Sequence, residues 1–240
     1  MRHCPQFPPA FQGLAAGPAN AVAVAVAKAR RGVDAGLIVW STTEERLQAA
    51  LVLAPEIALG KAVACLPACA LGVQNALGAL APPELAVHLE WAGGVRLNGG
   101  RAGALRLVGP PCPPGAVPDW LVVGLTLNLL PPGGVEPGLT PDQTALSEEG
   151  CGGIDPLDLI EAWSRHTLFW LNELEADPRH TALLRDWNGL AWDMGGAVSL
   201  TLRGAALEGT FLGVDEDFGM LLKTAAGTRL IPLTELVEEA

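Results

Sequence analysis

A stretch of 22 residues, 62–83, carries no charged side chain and reads AVACLPACALGVQNALGALAPP. A segment of this length and polarity either spans a membrane or forms a helix inside a protein core. Its many Ala and Gly residues, together with Pro67, Gln74 and Asn75 and the lack of flanking basic clusters, favour a helix buried against a sheet. We therefore expect no membrane association.

The overall composition is that of a globular, acidic protein. The 240 residues are half apolar, which is enough for one large domain with a small appendage. A formal net charge of -11, with Lys and Arg together numbering 15, disfavours nucleic acid as a partner, because phosphate binding needs clustered cations.

The N-terminal segment and the cysteines indicate a reduced, cytoplasmic chain. The first residues, MRHCPQFPPAFQG, lack the apolar core of a signal peptide. The cysteines number five, an odd count, and form no CxxC pair. Cys65 and Cys69 share one face of the predicted helix, where they act as small core residues. The remaining cysteines are Cys4, Cys112 and Cys151.

The first part of the chain predicts alternating helices and strands. Residues 18–32 form an Ala-rich helix that ends at a glycine, and residues 35–40 form a strand covered on both faces. The stretch 41–47 has Ser or Thr three residues ahead of Glu, which predicts a helical turn before the apolar run 49–55.

The middle of the chain predicts a hairpin, a long strand and a long helix. A strand over 85–91 leads into a glycine-rich hairpin over 90–103, followed by apolar strands at 103–109 and 120–130. Residues 154–177 predict a helix with Asp155 as its N-cap and Pro156 at its first position.

From residue 196 onward, short alternating strands and turns predict a small antiparallel barrel. We therefore expect an α/β fold with one domain over residues 1–190 and a β-barrel over residues 191–240.

This order of elements resembles the biotin and lipoate protein ligase family. The resemblance implies an α/β (α+β) fold in which helices cover a mixed sheet, with an SH3-like barrel at the C-terminal end. It rests on ALVLAPE (50–56), VHLEWAGGVRLNGGRAGALRLV (87–108), VVGLTLNLL (122–130), TALSEEG with the helix ending near Trp187, and LEGTFLGVDEDFGMLLKTAAGTRLIPL (207–233).

The resemblance also implies which residues form the site. The family's Lys-Trp-Pro-Asn-Asp motif corresponds to residues 90–94, where Glu90 stands at the lysine position. The catalytic lysine of the family falls at Gly100 or Arg101, so Arg101 is the candidate catalytic cation. Gly124 would lie against the bound acid and Asn128 would orient it. The implied ligand-binding residues are Trp91, Gly93, Gly94, Asn98, Gly100, Gly124 and Asn128.

Plain structural roles remain open for several of these residues. Trp91 is equally a core aromatic, Asn98 a turn residue, and Asn128 a buried amide that bonds to neighbouring backbone. We expect the Arg101 side chain to point into the pocket above Gly124, because the resemblance implies that the hairpin and the strand of Asn128 are neighbours in the sheet.

The family's Gly-Arg-rich loop, which wraps the adenylate, has no counterpart here. Residues 37–59 contain no glycine and one basic residue, Arg46. The first hypothesis is therefore a protein that binds biotin, lipoate or a related carboxylic acid in a ligase-type pocket, with lost or reduced adenylation. The alternative is a divergent ligase that uses ATP to attach biotin or lipoate to a lysine of a biotinyl or lipoyl carrier protein.

Two other kinds of site are less well supported by the sequence. The four histidines show no metal-binding spacing, so we expect no metal site. An acyl transferase that uses a cysteine without ATP would rely on Cys112 or Cys151, but neither has an activating Lys or His nearby in sequence.

Overall fold

The structure is a computed structural model that describes residues 4–131, 142–202 and 204–240. The described residues form two sheets and five α-helices. The helices are α1 (Ala21–Ala29), α2 (Leu59–Ala62), α3 (Cys65–Leu80), α4 (Pro156–Ala176) and α5 (Thr181–Leu190). The strands are β1 (Gln12–Ala15), β2 (Leu37–Thr42), β3 (Arg46–Leu53), β4 (Val87–Leu89), β5 (Gly94–Leu97), β6 (Gly100–Gly109), β7 (Leu121–Asn128), β8 (Ala197–Leu202), β9 (Ala205–Val214), β10 (Met220–Thr224), β11 (Gly227–Ile231) and β12 (Val237–Glu239).

The main sheet is mixed and has helices on both faces. Its strands follow the order β1-β2-β3-β7-β6-β5-β4, with β1 parallel to β2 and the remaining neighbours antiparallel. Helix α3 packs on one face, which we call the inner face, and α4 packs on α3; both helices contribute to the large core. Helix α1 packs on the outer face over β2, β3 and β7, in a smaller second core.

The charge-free stretch is the central core helix, as predicted. Helix α3 lies within it, and both cysteines of this helix are buried. The span Leu59–Leu80 is long and apolar enough to cross a membrane, but 72% of its most apolar window is buried inside the protein. The burial agrees with a helix packed against a sheet.

The helical turn predicted over 41–47 is wrong, because this stretch is a β-hairpin. Strands β2 and β3 pair up to Thr42 and Leu47. The turn closes with Thr43 N–H donating to the Arg46 carbonyl at 2.8 Å and Arg46 N–H donating to Thr43 Oγ1 at 3.0 Å. The capping pattern was outweighed by the apolar alternation of β3, whose Leu47, Ala49 and Leu51 enter the core.

Helix α4 begins as predicted. The Asp155 side chain accepts a hydrogen bond from the Leu157 amide at 2.8 Å, and Pro156 occupies the first turn. Trp163 and Trp170 on its buried face donate to the Cys69 carbonyl and the Asn75 side chain of α3. These bonds hold the two core helices together.

The C-terminal residues form a separate four-stranded antiparallel sheet in the order β11-β10-β9-β8, consistent with an SH3-like fold. The chain then leaves this sheet, and its last strand, β12, pairs in parallel with β6 of the main sheet. A short 3-10 helix, Leu233–Leu236, makes the connection. The domain boundary at residue 190 stays a prediction.

Candidate functional site

Glu90 is bound by two arginines at the hairpin that carries the predicted catalytic cation. Arg96 Nε donates to Glu90 Oε1 at 2.5 Å, and Arg101 Nη2 donates to Oε2. The Glu90 and Arg96 side chains are 13% and 14% exposed, whereas that of Arg101 is 52% exposed. The carboxylate at the family's lysine position thus neutralises cations of its own hairpin.

The same cluster is closed on one side by an aromatic ring. The Arg96 guanidinium carbon lies 4.9 Å from the centroid of the Trp192 ring, and His88 meets that ring edge-on at 5.2 Å. Arg96 Nη1 also donates to the Gly99 carbonyl at 2.6 Å. Arg96 is therefore fixed by stacking and hydrogen bonds and has a structural role.

Trp91 points into the core rather than toward an open site. It is 4% exposed, and its indole N–H donates to the Phe218 carbonyl at 2.7 Å. Phe218 belongs to the turn between β9 and β10. Trp91 therefore connects the main sheet to the C-terminal sheet. It is a core aromatic residue, which is one of the two roles that the sequence left open.

Gly93 and Gly94 are required by the turn between β4 and β5. Gly93 has φ +91°, and a Cβ there would meet the Leu105 carbonyl oxygen at 2.3 Å. A Cβ at Gly94 would meet the Glu90 carboxylate at 2.1 Å. The local structure thus explains why both positions are glycine, without any contact with a ligand.

Asn98 and Gly99 form the turn between β5 and β6, both with positive φ. Asn98 Oδ1 accepts from the Ala86 amide at 3.0 Å, and Nδ2 donates to Glu149 at 2.7 Å. The side chain is thus used within the protein. Gly100 is the first residue of β6.

Gly100 and Asn128 both contact the segment that follows the undescribed residues 132–141. A Cβ on Gly100 would lie 2.9 Å from the Thr144 side chain. Asn128 Nδ2 donates to the Thr144 carbonyl at 3.2 Å, and the Asn128 carbonyl accepts from Leu146 N–H at 2.9 Å. These two predicted site residues therefore come together, with Thr144 between them.

Gly124 has Arg106 beside it, not Arg101 as expected. The two residues are paired across β6 and β7, and a Cβ on Gly124 would meet Val22 Cγ2 at 2.4 Å and Arg106 Cγ at 3.4 Å. Arg101 lies five residues away along β6, bound to Glu90. A β-bulge in β6 opposite Val95 and Arg96 separates the two arginines.

Beyond the first turn of α1, the outer face of the sheet carries a strip of partly polar residues that begins at Gly124. Strand alternation puts its residues on the face that α1 covers elsewhere. Gln48, Thr126 and Ala104 lie side by side across β3, β7 and β6, and Ala104 is exposed. We call this set the outer strip. Its members are Gln48, Ala104, Arg106, Gly124, Thr126 and Asn128.

Gln48 joins the outer strip to the first turn of α1. Its Oε1 accepts from Ala21 N–H at 3.2 Å and from Ser41 Oγ at 3.4 Å. The sequence reasoning missed Gln48, Thr126 and Arg106. Each is a polar residue that alternates with apolar ones along a buried strand, and that pattern was the available signal.

The connection between β2 and β3 does not fit a nucleoside triphosphate. It is a tight turn containing exposed Glu44 and Glu45, and the Glu45 carbonyl accepts from Leu129 N–H at 2.7 Å. Acidic side chains repel phosphate, and the turn contains no glycine-rich loop of amides. The arginine pair of the hairpin is already bound to Glu90.

The cysteines are not placed for nucleophilic catalysis. Cys151 is buried, and burial raises the pKa of its thiol. Cys112 Sγ lies 3.5 Å from the Pro113 and Ala116 carbonyls. No group of three or more potential metal ligands occurs among the described residues. His3 lies outside them.

The chain is similar to known proteins along most of its length. Residues 7–189 match the model of the biotin/lipoate A/B protein ligase family, and residues 200–239 match a domain of unknown function, DUF4444. A "Biotin--[acetyl-CoA-carboxylase] ligase" from Paracoccus denitrificans is 27% identical over 211 residues, which cover 87% of this chain and 85% of that protein.

Solved structures agree with this match. A crystal structure from Silicibacter sp. TM1040, described as a biotin protein ligase-like protein of unknown function, is 50% identical, covers 98% of this chain and 100% of its own, and gives a TM-score of 0.89. The biotin protein ligase of Aquifex aeolicus shares the fold at 16% identity, with 92% and 95% coverage and a TM-score of 0.73. The chain belongs to the biotin/lipoate A/B protein ligase family.

Proposed function

We propose that this protein binds biotin, lipoate or a related small carboxylic acid on the outer strip, and that it forms little or no acyl-adenylate. The observation that carries the proposal is the tight turn between β2 and β3, where the family places its phosphate-wrapping loop. That turn presents Glu44 and Glu45. The acid-binding part of the proposal rests on family membership and on the open polar face beside Gly124.

Electrostatics support the loss of adenylation. A nucleoside triphosphate would bring several negative charges to a protein with a formal net charge of -11. Arg101, the candidate catalytic cation, already shares Glu90 with Arg96. A cation bound to a carboxylate offers less stabilisation to a developing phosphate charge than a free one.

The binding half is tested by thermal denaturation with biotin, lipoate, octanoate and the corresponding acyl-adenylates. A ligand that binds only the folded state stabilises it by about 2.7 kcal/mol at 100 times its dissociation constant. We expect at least one acid to raise Tm in a concentration-dependent manner. If none of these compounds changes Tm at millimolar concentration, the binding proposal fails.

The catalytic half is tested by pyrophosphate release with ATP, Mg²⁺ and each acid. We expect no acid-dependent release above the rate without protein. Sustained release would instead favour the alternative, a divergent ligase acting on a biotinyl or lipoyl carrier protein. The printed name of the Paracoccus denitrificans relative is the observation that favours this second candidate.

A further inference from the structure

Arg106 is a cation of the outer strip; Arg46, which pairs with Asn128, lies at the far end of the same face. The side chain of Arg106 lies beside Gly124 of β7, with Cγ 3.4 Å and Nε 3.7 Å from the position that a Cβ on Gly124 would occupy. The stem of Arg106 is therefore in ordinary van der Waals contact with the Gly124 position, whereas Val22 of α1 is the neighbour that a Cβ there would displace. The Arg106 side chain is 45% exposed, so its guanidinium is reachable from solvent.

The partner of Arg106 comes from the C-terminal segment. Strand β12 pairs in parallel with β6 from Leu107 to Gly109, which places Glu238 next to Arg106. Arg106 Nη1 and Glu238 Oε2 are 3.3 Å apart, and the Glu238 side chain is 52% exposed. An exposed pair of this length has a small net strength, because water competes for both charges.

We propose that Arg106 binds the carboxylate of the ligand and that Glu238 is the internal carboxylate which the ligand replaces. The inference rests on the proposed acid-binding function and specifies its anchor. A planar guanidinium recognises a carboxylate through two parallel hydrogen bonds, whereas the contact with Glu238 is made through one nitrogen. Exchange of one carboxylate for another keeps the Arg106 charge neutralised, and the released Glu238 moves into water.

The comparison with Arg101 favours Arg106 as the anchor. Glu90, the partner of Arg101, is 13% exposed and also binds Arg96, so a ligand that drew Arg101 away from Glu90 would break a partly buried network. Displacing Glu238 leaves an exposed side chain in solvent. The remainder of the strip, from Gly124 to Asn128, extends about 13 Å along β7, which accommodates a short acyl chain.

The test uses the whole chain and compares three variants with wild type by calorimetric titration of biotin, lipoate and octanoate. Glu238→Gln removes the internal competitor while keeping the shape, and we expect up to about fivefold tighter binding. Arg106→Met keeps the stem that packs over Gly124 but removes the charge, and we expect at least about tenfold weaker binding. Arg185→Gln, which breaks an exposed pair with Asp186 on α5, is the matched control and should leave the dissociation constants unchanged.

The amides biotinamide, lipoamide and octanamide serve as uncharged probes. We expect them to bind wild type and Arg106→Met with equal affinity, because the anchor acts on the carboxylate. Acids that bind wild type and Arg106→Met equally well would overturn the anchor while leaving the acid-binding function intact. If no acid binds wild type or Glu238→Gln, both the anchor and the proposed function fail. Arg106→Lys keeps the positive charge but lacks the paired donors of a guanidinium. It should recover part of the affinity and supplies a second folded variant.

Discussion

At the scale of single residues, Glu90 determines how the cations of the hairpin are used. It accepts hydrogen bonds from Arg96 and Arg101, two residues that face each other across β5 and β6. Like charges directly opposite each other destabilise a sheet, so the carboxylate between them has a clear physical purpose. Glu90 therefore has a structural role in the hairpin, at a position where the family motif has a lysine.

Removing Glu90 should destabilise the protein more than removing its exposed partner. Glu90→Gln leaves the 14%-exposed Arg96 without its counterion, and we expect a loss of about 2 kcal/mol in the free energy of unfolding. Arg101→Gln removes a half-exposed charge and should cost less than about 1 kcal/mol. Urea denaturation of both variants checks the order, and a larger loss for Arg101→Gln would contradict the structural role of Glu90.

Thiol labelling should follow burial. Burial raises the pKa of the Cys65 thiol to about 12 and raises that of Cys69 as well. Since the thiolate is the reactive form, native protein at pH 8 should be alkylated at exposed Cys4, with Cys65, Cys69 and Cys151 protected. Peptide mass mapping after iodoacetamide treatment, with and without urea, measures this. Rapid native labelling of Cys69 would contradict the core position of α3.

At the scale of elements, the turn between β4 and β5 is stabilised by its own backbone hydrogen bonds. Glu90 N–H donates to the Gly94 carbonyl at 2.8 Å and Gly93 N–H donates to the Glu90 carbonyl at 2.9 Å, so the turn is closed by its own backbone. The Gly93 carbonyl also accepts from Leu105 N–H at 2.7 Å. The motif positions in this turn serve to hold β4, β5 and β6 together.

Gly93→Ala should therefore lower the stability of the protein even when no ligand is present. The residue has φ +91° and a Cβ would lie 2.3 Å from a backbone oxygen, so we expect a loss of about 2 kcal/mol or more. Gly115→Ala, where a Cβ meets nothing within 4 Å and φ is not positive, is the matched control and should be near neutral. Thermal and urea denaturation compare the two, and equal stability would mean that the turn relaxes at no cost.

At the scale of the whole molecule, the two sheets share one core. Phe211, Phe218 and Met220 of the C-terminal sheet belong to the same buried cluster as α3 and the main sheet. Trp91 adds a buried hydrogen bond between them, and Lys61 of α2 pairs with Asp217. Strand β12 then returns to the main sheet, so the chain crosses between the sheets twice.

We expect the chain to unfold in a single transition because of this shared core. Trp fluorescence and far-ultraviolet circular dichroism should give the same urea midpoint. A fragment of residues 196–240 should remain unfolded alone, since about 45 residues bury too little apolar surface without the main domain. Two separate transitions, or a folded fragment, would contradict this coupling.

The sequence by itself determined the elements that depend on local pattern. The charge-free run predicted a buried α3, Asp155 and Pro156 predicted the start of α4, and the alternating strands after residue 196 predicted an antiparallel sheet. Local signals suffice here because capping and apolar periodicity act over a few residues.

The tertiary structure decided what the polar residues do. The capping pattern over 41–47 was outweighed by strand pairing, and the cation beside Gly124 is Arg106 because the register of β6 on β7 pairs these two residues. The Glu90 network, the Trp91 bond to Phe218 and the Arg106–Glu238 pair join residues that are 6 to 132 positions apart. Whether a charge is free or neutralised depends on such contacts, and sequence spacing contains no information about them until strand register and the return of β12 are fixed.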